Sequence, residues 1–164
     1  MQVAPMNLEF EYLADHPEQV DRVIAWWHTV WSDRMGPLDQ AARQLAASLN
    51  TDSLPIQILA TVDGEPVGTA VLKLQELAEL FPDKQYWMGS VYVDESHRGA
   101  SIASRLAERI IELAESRGLP HLYLQTVNAS GGLYARLGWE PLQLFNYRGE
   151  RTLLMVRKLK GMAA

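Results

Sequence analysis

The sequence predicts an α/β (α+β mixed) fold: a mixed, mostly antiparallel sheet of about seven strands with a central parallel pair, flanked by about four helices. Three observations carry this. Segments of period 2 and period 3.6 interleave along the whole chain. Asp63-Gly64 separates two apolar, strand-like runs and is a strong hairpin-turn signal. From Val91 to Val127 a strand, a polar turn, a helix and another strand follow one another, the order of a parallel pair joined by a right-handed crossover.

Leu8, Phe10 and Tyr12 alternate with Glu9 and Glu11, which gives a first strand. Asp15-His16-Pro17-Glu18 reads as a helix start with Pro in its first turn. That helix carries Val20, Val23, Ile24, Trp27 and Trp31 on one face, which leaves Trp26 and His28 off the buried stripe. Gly36-Pro37 stops it, and a second helix runs from about Asp39 to Leu49. Pro55 to Val62 and Val67 to Leu72 are the two arms of the hairpin. Leu74, Leu77, Ala78 and Phe81 have helical spacing, but the stretch is short and ends at Pro82, so it stays ambiguous. Tyr86 to Val93 is the next strand. A helix from Ile102 to Arg117 ends at Gly118, with Pro120 just beyond. Leu122 to Val127 is almost continuously apolar, as a strand in the centre of a sheet is. A turn over Asn128 to Gly132 leads into a short helix, Leu133 to Leu137, closed by Gly138. Trp139 to Tyr147 and Thr152 to Val156 form a terminal hairpin around Arg148-Gly149.

At 164 residues, 48% of them hydrophobic, the chain suits one domain, 1–164, with a substantial core. A net charge of -5 and the lack of any dense Lys/Arg run argue against nucleic acid as a partner. With no cysteine there is neither a disulfide scaffold nor a thiolate zinc site. His16, His28 and His121 have no metal-ligand spacing, so no metal is expected. The start carries no secretory signal and no apolar run reaches membrane-spanning length, which makes a cytoplasmic protein with no membrane partner the expectation.

Arg98-Gly99-Ala100-Ser101 opens the Ile102 helix directly after a strand. A helix N-terminus presents unpaired N–H groups and a partial positive charge, and small residues let an anion approach closely. The run therefore reads as a seat for phosphate, or as a turn in which Gly99 supplies geometry and Ser101 the N-cap. It is neither a P-loop nor a dinucleotide fingerprint.

These residues resemble the GNAT superfamily of N-acetyltransferases, whose signature is Arg/Gln-x-x-Gly-x-Gly/Ala at the start of a helix that follows a strand. Arg98 and Ala103 fit the first and last positions, while Ser101 stands where the middle glycine is expected. A second element, Asn128, Leu133-Tyr134 and Leu137-Gly138-Trp139, resembles the family's Asn, Leu-Tyr and Leu-Gly-Phe/Trp. The resemblance implies a single GNAT-like domain that moves an acetyl group from acetyl-CoA to a primary amine. With no Cys and no visible Ser/His/acid triad as a covalent relay, direct attack in a ternary complex is expected. The resemblance also implies that Val91 and Val93 pair their backbone with the pantetheine arm. Arg98 and the amides of Gly99, Ala100, Ser101 and Ala103 would hold the pyrophosphate, and Asn128 would bond the cofactor arm. Tyr134 would protonate the leaving thiolate as general acid. Taken by themselves, Tyr134 reads as a core aromatic and Asn128 as a turn residue. At Ser101 three effects stay open: crowding of the pyrophosphate, a hydroxyl bond to it, or backbone strain if the position needs a positive φ.

The strand from Tyr86 to Val93 carries no Glu, Asp or His, so the general base is not visible. Glu76, Glu79 and Asp83 lie just upstream and could reach in through water; each alone also reads as a solvated acidic residue. By the same resemblance Trp26, His28, Trp31, Arg34 and Met35 are candidates for the amine acceptor site. The acceptor itself, small molecule or peptide, is open, as is a homodimer. A rival reading of a different class is a CoA- or acyl-CoA-binding sensor module with little or no turnover. A third, an unrelated α/β binding domain, predicts no CoA affinity.

Overall fold

The computed structural model describes residues 7–99 and 101–160. Strands β1 (Leu8–Tyr12), β2 (Ile56–Val62), β3 (Glu65–Lys73), β4 (Trp87–Val93), β5 (His121–Thr126), β6 (Glu140–Tyr147) and β7 (Glu150–Lys158) join in one seven-stranded sheet of order β1-β2-β3-β4-β5-β7-β6. The helices are α1 (Val20–Trp31), α2 (Leu38–Ser48), α3 (Ile102–Ser116) and α4 (Gly132–Arg136). β4 and β5 are the parallel pair, with Trp87 level with Tyr123; β1–β2, β5–β7 and β6–β7 are antiparallel. Both tight hairpin turns use left-handed pairs, Asp63 (φ 51°) with Gly64 (φ 83°) and Arg148 (φ 50°) with Gly149 (φ 81°). Two positive φ values in a row twist the turn with the strands it joins.

The chain divides into two compact units, Met1–Val71 with Ser90–Leu106 and Leu72–Gly89 with Ala107–Ala164. In the first, the β1–β2 ladder runs from Leu8 opposite Val62 to Tyr12 opposite Ile58. Its core gathers Leu13, Val20, Val23, Ile24, Trp26, Leu59 and Tyr92, with Trp27, Met35 and Leu45 packed against it. A side chain at Gly68 would meet the Tyr92 carbonyl at 2.9 Å and Leu106 Cδ1 at 3.1 Å, so this glycine is needed for close packing.

The burial of α1 departs from the expected stripe. Trp26 is only 8% exposed and stacks on Tyr92 at 5.7 Å between ring centres, whereas Trp27 and Trp31 are half-buried. Trp26 sits one turn beyond Val23, and the sheet side chain Tyr92 reaches round to cover that flank. Trp26 is therefore a core residue.

The second unit packs Leu77, Phe81, Trp87 and Leu154 together with Tyr123, Phe145 and Tyr147. Segment 74–86, ambiguous from spacing, is neither helix nor strand. Its fold is fixed by its ends and its apolar residues: Tyr86 N donates to Leu74 O at 2.9 Å, Phe81 N to Leu77 O at 2.9 Å, and Trp87 Nε1 to Lys84 O at 2.7 Å. β5 lies between β4 and β7, as its apolar run requires. Among the described residues no helix is long and apolar enough to cross a membrane.

Candidate active site

The turn from β4 into α3 is built by local hydrogen bonds. Asp94 N donates to Val67 O at 2.7 Å, and the Asp94 carboxylate accepts from Ser96 Oγ at 2.5 Å and lies 3.3 Å from His97 Nδ1. The Ser96 hydroxyl, ahead of His97, holds the Asp94 carboxyl below its ordinary value, against a smaller upward push from burial. Arg98 Nε donates to Val93 O at 3.1 Å, and its guanidinium carbon lies 5.4 Å from the centre of the Tyr92 ring. That bond uses Nε and does not occupy the two terminal NH₂ groups of this exposed side chain, which are donors suited to an anion.

Gly99 has φ 87° and Ser101 has φ 64°. Nothing lies within 4 Å of a Cβ built on Gly99, so this glycine serves the backbone angle and not a steric gap. Ala100 lies outside the described residues. Arg105 N donates to Ser101 O at 3.1 Å as the first bond of α3. The N–H groups of Ile102, Ala103 and Ser104 therefore stand without intrahelical partners at the start of a 15-residue helix. Ser101 is left-handed, so the strain that a positive φ implies is present there. Within β4, Ser90 is also left-handed at φ 54°, and its carbonyl accepts from Trp27 Nε1 at 3.3 Å. This irregular residue precedes Val91, which is half-buried, and Val93, whose carbonyl is engaged by Arg98.

His28 is exposed near the end of α1, Trp31 closes that helix half-buried, and Arg34 is exposed in the turn that follows. Met35 packs against the core beside Trp27.

In the second unit, the Asn128 side-chain oxygen accepts from Ser130 N at 3.0 Å and Ser130 Oγ at 2.7 Å. This is the turn role of an Asx residue. Its Nδ2 lies where a Cβ on Gly132 (φ 51°) would come within 2.7 Å, so Gly132 leaves room for the amide. α4 then presents Tyr134, whose N donates to Gly131 O at 3.1 Å and whose carbonyl accepts from Trp139 N at 3.1 Å. The Tyr134 ring meets Trp139 edge-on at 6.3 Å, and burial raises its phenol above the ordinary tyrosine value.

Glu79 and Asp83 are exposed, but Glu76 is not. Its Oε1 is 2.8 Å from Lys73 Nζ, and its Oε2 accepts from Gln125 Nε2 at 3.1 Å. Lys73, Gln125 and Gly89, the residue beneath this carboxylate, escaped the sequence reading. Only the short Lys73–Glu76 spacing gave any local signal. Among the described residues no three His, Asp or Glu side chains gather to hold a metal ion.

Residues 12–139 match the family model described as acetyltransferase (GNAT) family. The chain belongs to the GNAT acetyltransferase family. Its fold matches solved structures of aminoglycoside 6'-acetyltransferase type Ii (18% identical, TM-score 0.73, covering 94% of this chain and 99% of that one). A second match is an aminoglycoside 6'-N-acetyltransferase complexed with coenzyme A (15% identical, TM-score 0.73, 95% and 99%). A third is ribosomal-protein-alanine N-acetyltransferase from Brucella melitensis (18% identical, TM-score 0.73, 92% and 99%).

Proposed function

We propose that this chain transfers an acetyl group from acetyl-CoA to a primary amine, by direct attack in a ternary complex. The observation that carries this reading is the turn before α3: an exposed arginine anchored by its Nε, two left-handed residues, and the N-terminus of a long helix. Such a turn suits a pyrophosphate, because helix N-terminal N–H groups and a guanidinium both favour negative charge. Arg98 and the amides of Gly99, Ser101 and Ala103 would hold the phosphates. Val91 would offer its backbone to the pantetheine arm. Asn128, its oxygen committed to Ser130, would donate through Nδ2.

In the reaction the amine nitrogen attacks the thioester carbonyl carbon. The C–N bond forms, the C–S bond breaks, and the thiolate takes a proton from Tyr134. Burial keeps that phenol protonated across neutral pH, the state a general acid needs. No cysteine exists to carry the acetyl group covalently.

Melting curves with acetyl-CoA, and thiol release from it in the presence of spermidine, kanamycin, glycine or an alanine-initiated peptide, test the proposal. Acetyl-CoA at about a hundred times its dissociation constant stabilises the fold by roughly 2.7 kcal/mol, and one amine class accelerates thiol release. Stabilisation without turnover on any amine favours a CoA sensor. No stabilisation at millimolar acetyl-CoA overturns the reading.

A further inference from the structure

We infer that Glu76 takes the proton from the acceptor amine, and that Gly89, Lys73 and Gln125 are the positioning residues that hold it for this; the inference rests on the acetyl transfer proposed above. No residue of β4 can do the work, since its side chains are Trp87, Met88, Ser90, Val91, Tyr92 and Val93 around Gly89. Instead the carboxylate is delivered from segment 74–86. A Cβ built on Gly89 collides with Glu76 Oε1 and lies 3.2 Å from Glu76 Cδ and 3.1 Å from Lys73 Nζ. The Glu76 carboxyl thus occupies the side-chain volume that Gly89 leaves vacant. The parallel register sets Trp87 level with Tyr123. From β5, Gln125 Nε2 donates to Glu76 Oε2. Strands β3, β4 and β5 therefore each contribute one side of the seat.

Stability does not explain this arrangement. Glycine inside a strand weakens it, and a partly buried ion pair returns little more than its desolvation cost. The seat does give the carboxylate a fixed position. Its oxygens offer about four lone-pair sites, of which Lys73 and Gln125 use two. The side chain keeps 15% of its surface exposed, enough for a water or an ammonium to reach it. Lys73 is the charged group bonded to it among the described residues. Three residues beyond Gln125 the chain reaches Asn128, and then Tyr134, which the proposed reaction uses.

The proton balance is simple. Glu76 accepts one proton from the bound ammonium, directly or through water, and releases it to solvent after turnover. The neutral nitrogen attacks, and sheds its second proton as the amide forms. That proton replaces the one Tyr134 gave to the thiolate.

The test compares the parent with Glu76→Gln and Gly89→Ala, using the fastest amine of the panel above, from about pH 6 to 10, with melting shifts for acetyl-CoA alongside. Glu76→Gln keeps the shape and loses the base. Gly89→Ala leaves Glu76 intact but fills its seat. Both variants are expected to keep the acetyl-CoA shift and to lose roughly 10²–10⁴-fold in kcat near pH 7. The loss shrinks steadily as pH rises, because the amine then arrives already neutral. A merely structural ion pair would not produce that pH rescue. The double variant Glu76→Gly with Gly89→Glu, which returns a carboxylate to the same volume from β4 itself, is expected to recover activity over Gly89→Ala. An active parent whose pH profile Glu76→Gln leaves unmoved, or lowers equally at every pH, overturns the assignment alone. A parent inactive on every amine overturns the acetyl-transfer reading together with it.

Discussion

Arg98 is held from two sides: Tyr92 lies 5.4 Å beneath its guanidinium, and the Val93 carbonyl takes its Nε at 3.1 Å. The side chain is thereby oriented before any ligand arrives, which lowers the entropy lost on binding. Only a planar, forked cation can stack, bond the backbone and still keep two further NH₂ groups as donors.

Arg98→Ala is expected to weaken CoA by about 1.5–3 kcal/mol, the range for hydrogen bonds to charged groups. It should leave phosphate-free pantetheine fragments nearly unaffected. Titration calorimetry with both ligands checks this. Arg98→Lys should recover only part of the affinity, since an ammonium cannot make the Nε anchor. Equal losses for CoA and for the fragment would mean that Arg98 does not face the phosphates.

Ser101 holds φ 64° where the family signature has glycine. A left-handed L-residue costs roughly 1–2 kcal/mol, and glycine gives back roughly 0.5–1 through its greater unfolded-state freedom. Ser101→Gly is therefore expected to stabilise the protein by about 0.5–1 kcal/mol, a rise of a few degrees in Tm. Affinity for acetyl-CoA should tighten or hold, because the backbone N–H stays and only an exposed hydroxymethyl group leaves. A fall in both Tm and affinity would show that the hydroxyl makes a contact worth more than the strain.

Trp26→Ala should cost roughly 3–5 kcal/mol, as truncation of a buried aromatic does, because the indole is 8% exposed and stacked on Tyr92. His28→Ala, two residues on but exposed, should stay within about 0.5 kcal/mol. Urea unfolding of the two variants separates them. If His28→Ala raises KM for the amine without changing stability, the acceptor site borders the end of α1.

How much of this was legible in the sequence follows from the range of each cause. The hairpin at Asp63-Gly64, the end of α3 at Gly118 and the Arg98 turn are set by neighbours within a few residues, so local spacing carries them. Trp26 was misplaced because α1 buries a wider flank than one stripe, and what covers that flank is Tyr92, 66 positions along the chain by their numbers. The Glu76 seat depends on Gln125, 49 residues away, and on the absence of a side chain at Gly89. A missing Cβ and a long-range amide leave no periodic signal. Ser90 and Ser101 give no sign of a positive φ in their composition, and only the glycine in the family signature hinted at it for Ser101.

Tyr134→Phe tests the acid directly, because it keeps the ring packed against Trp139 and removes only the donor oxygen. kcat is expected to fall roughly 10²–10⁴-fold with acetyl-CoA affinity little changed. The loss should shrink with acyl donors whose thiols are more acidic, since a better leaving group needs less protonation. The pH dependence has a definite sign. Burial raises the phenol above its ordinary value of 10.0, so the donor form persists through neutral and mildly alkaline pH. Any stability this shift contributes is present below that value and is lost as pH climbs through the raised one. Loss of activity from ionisation of Tyr134 should therefore begin only above the ordinary tyrosine range and be missing from the phenylalanine variant. Single-turnover rates are the measurement to use, because slow product release can hide the chemical step. If the variant transfers acetyl at the parent's single-turnover rate, Tyr134 is a packing aromatic and the thiolate draws its proton from water.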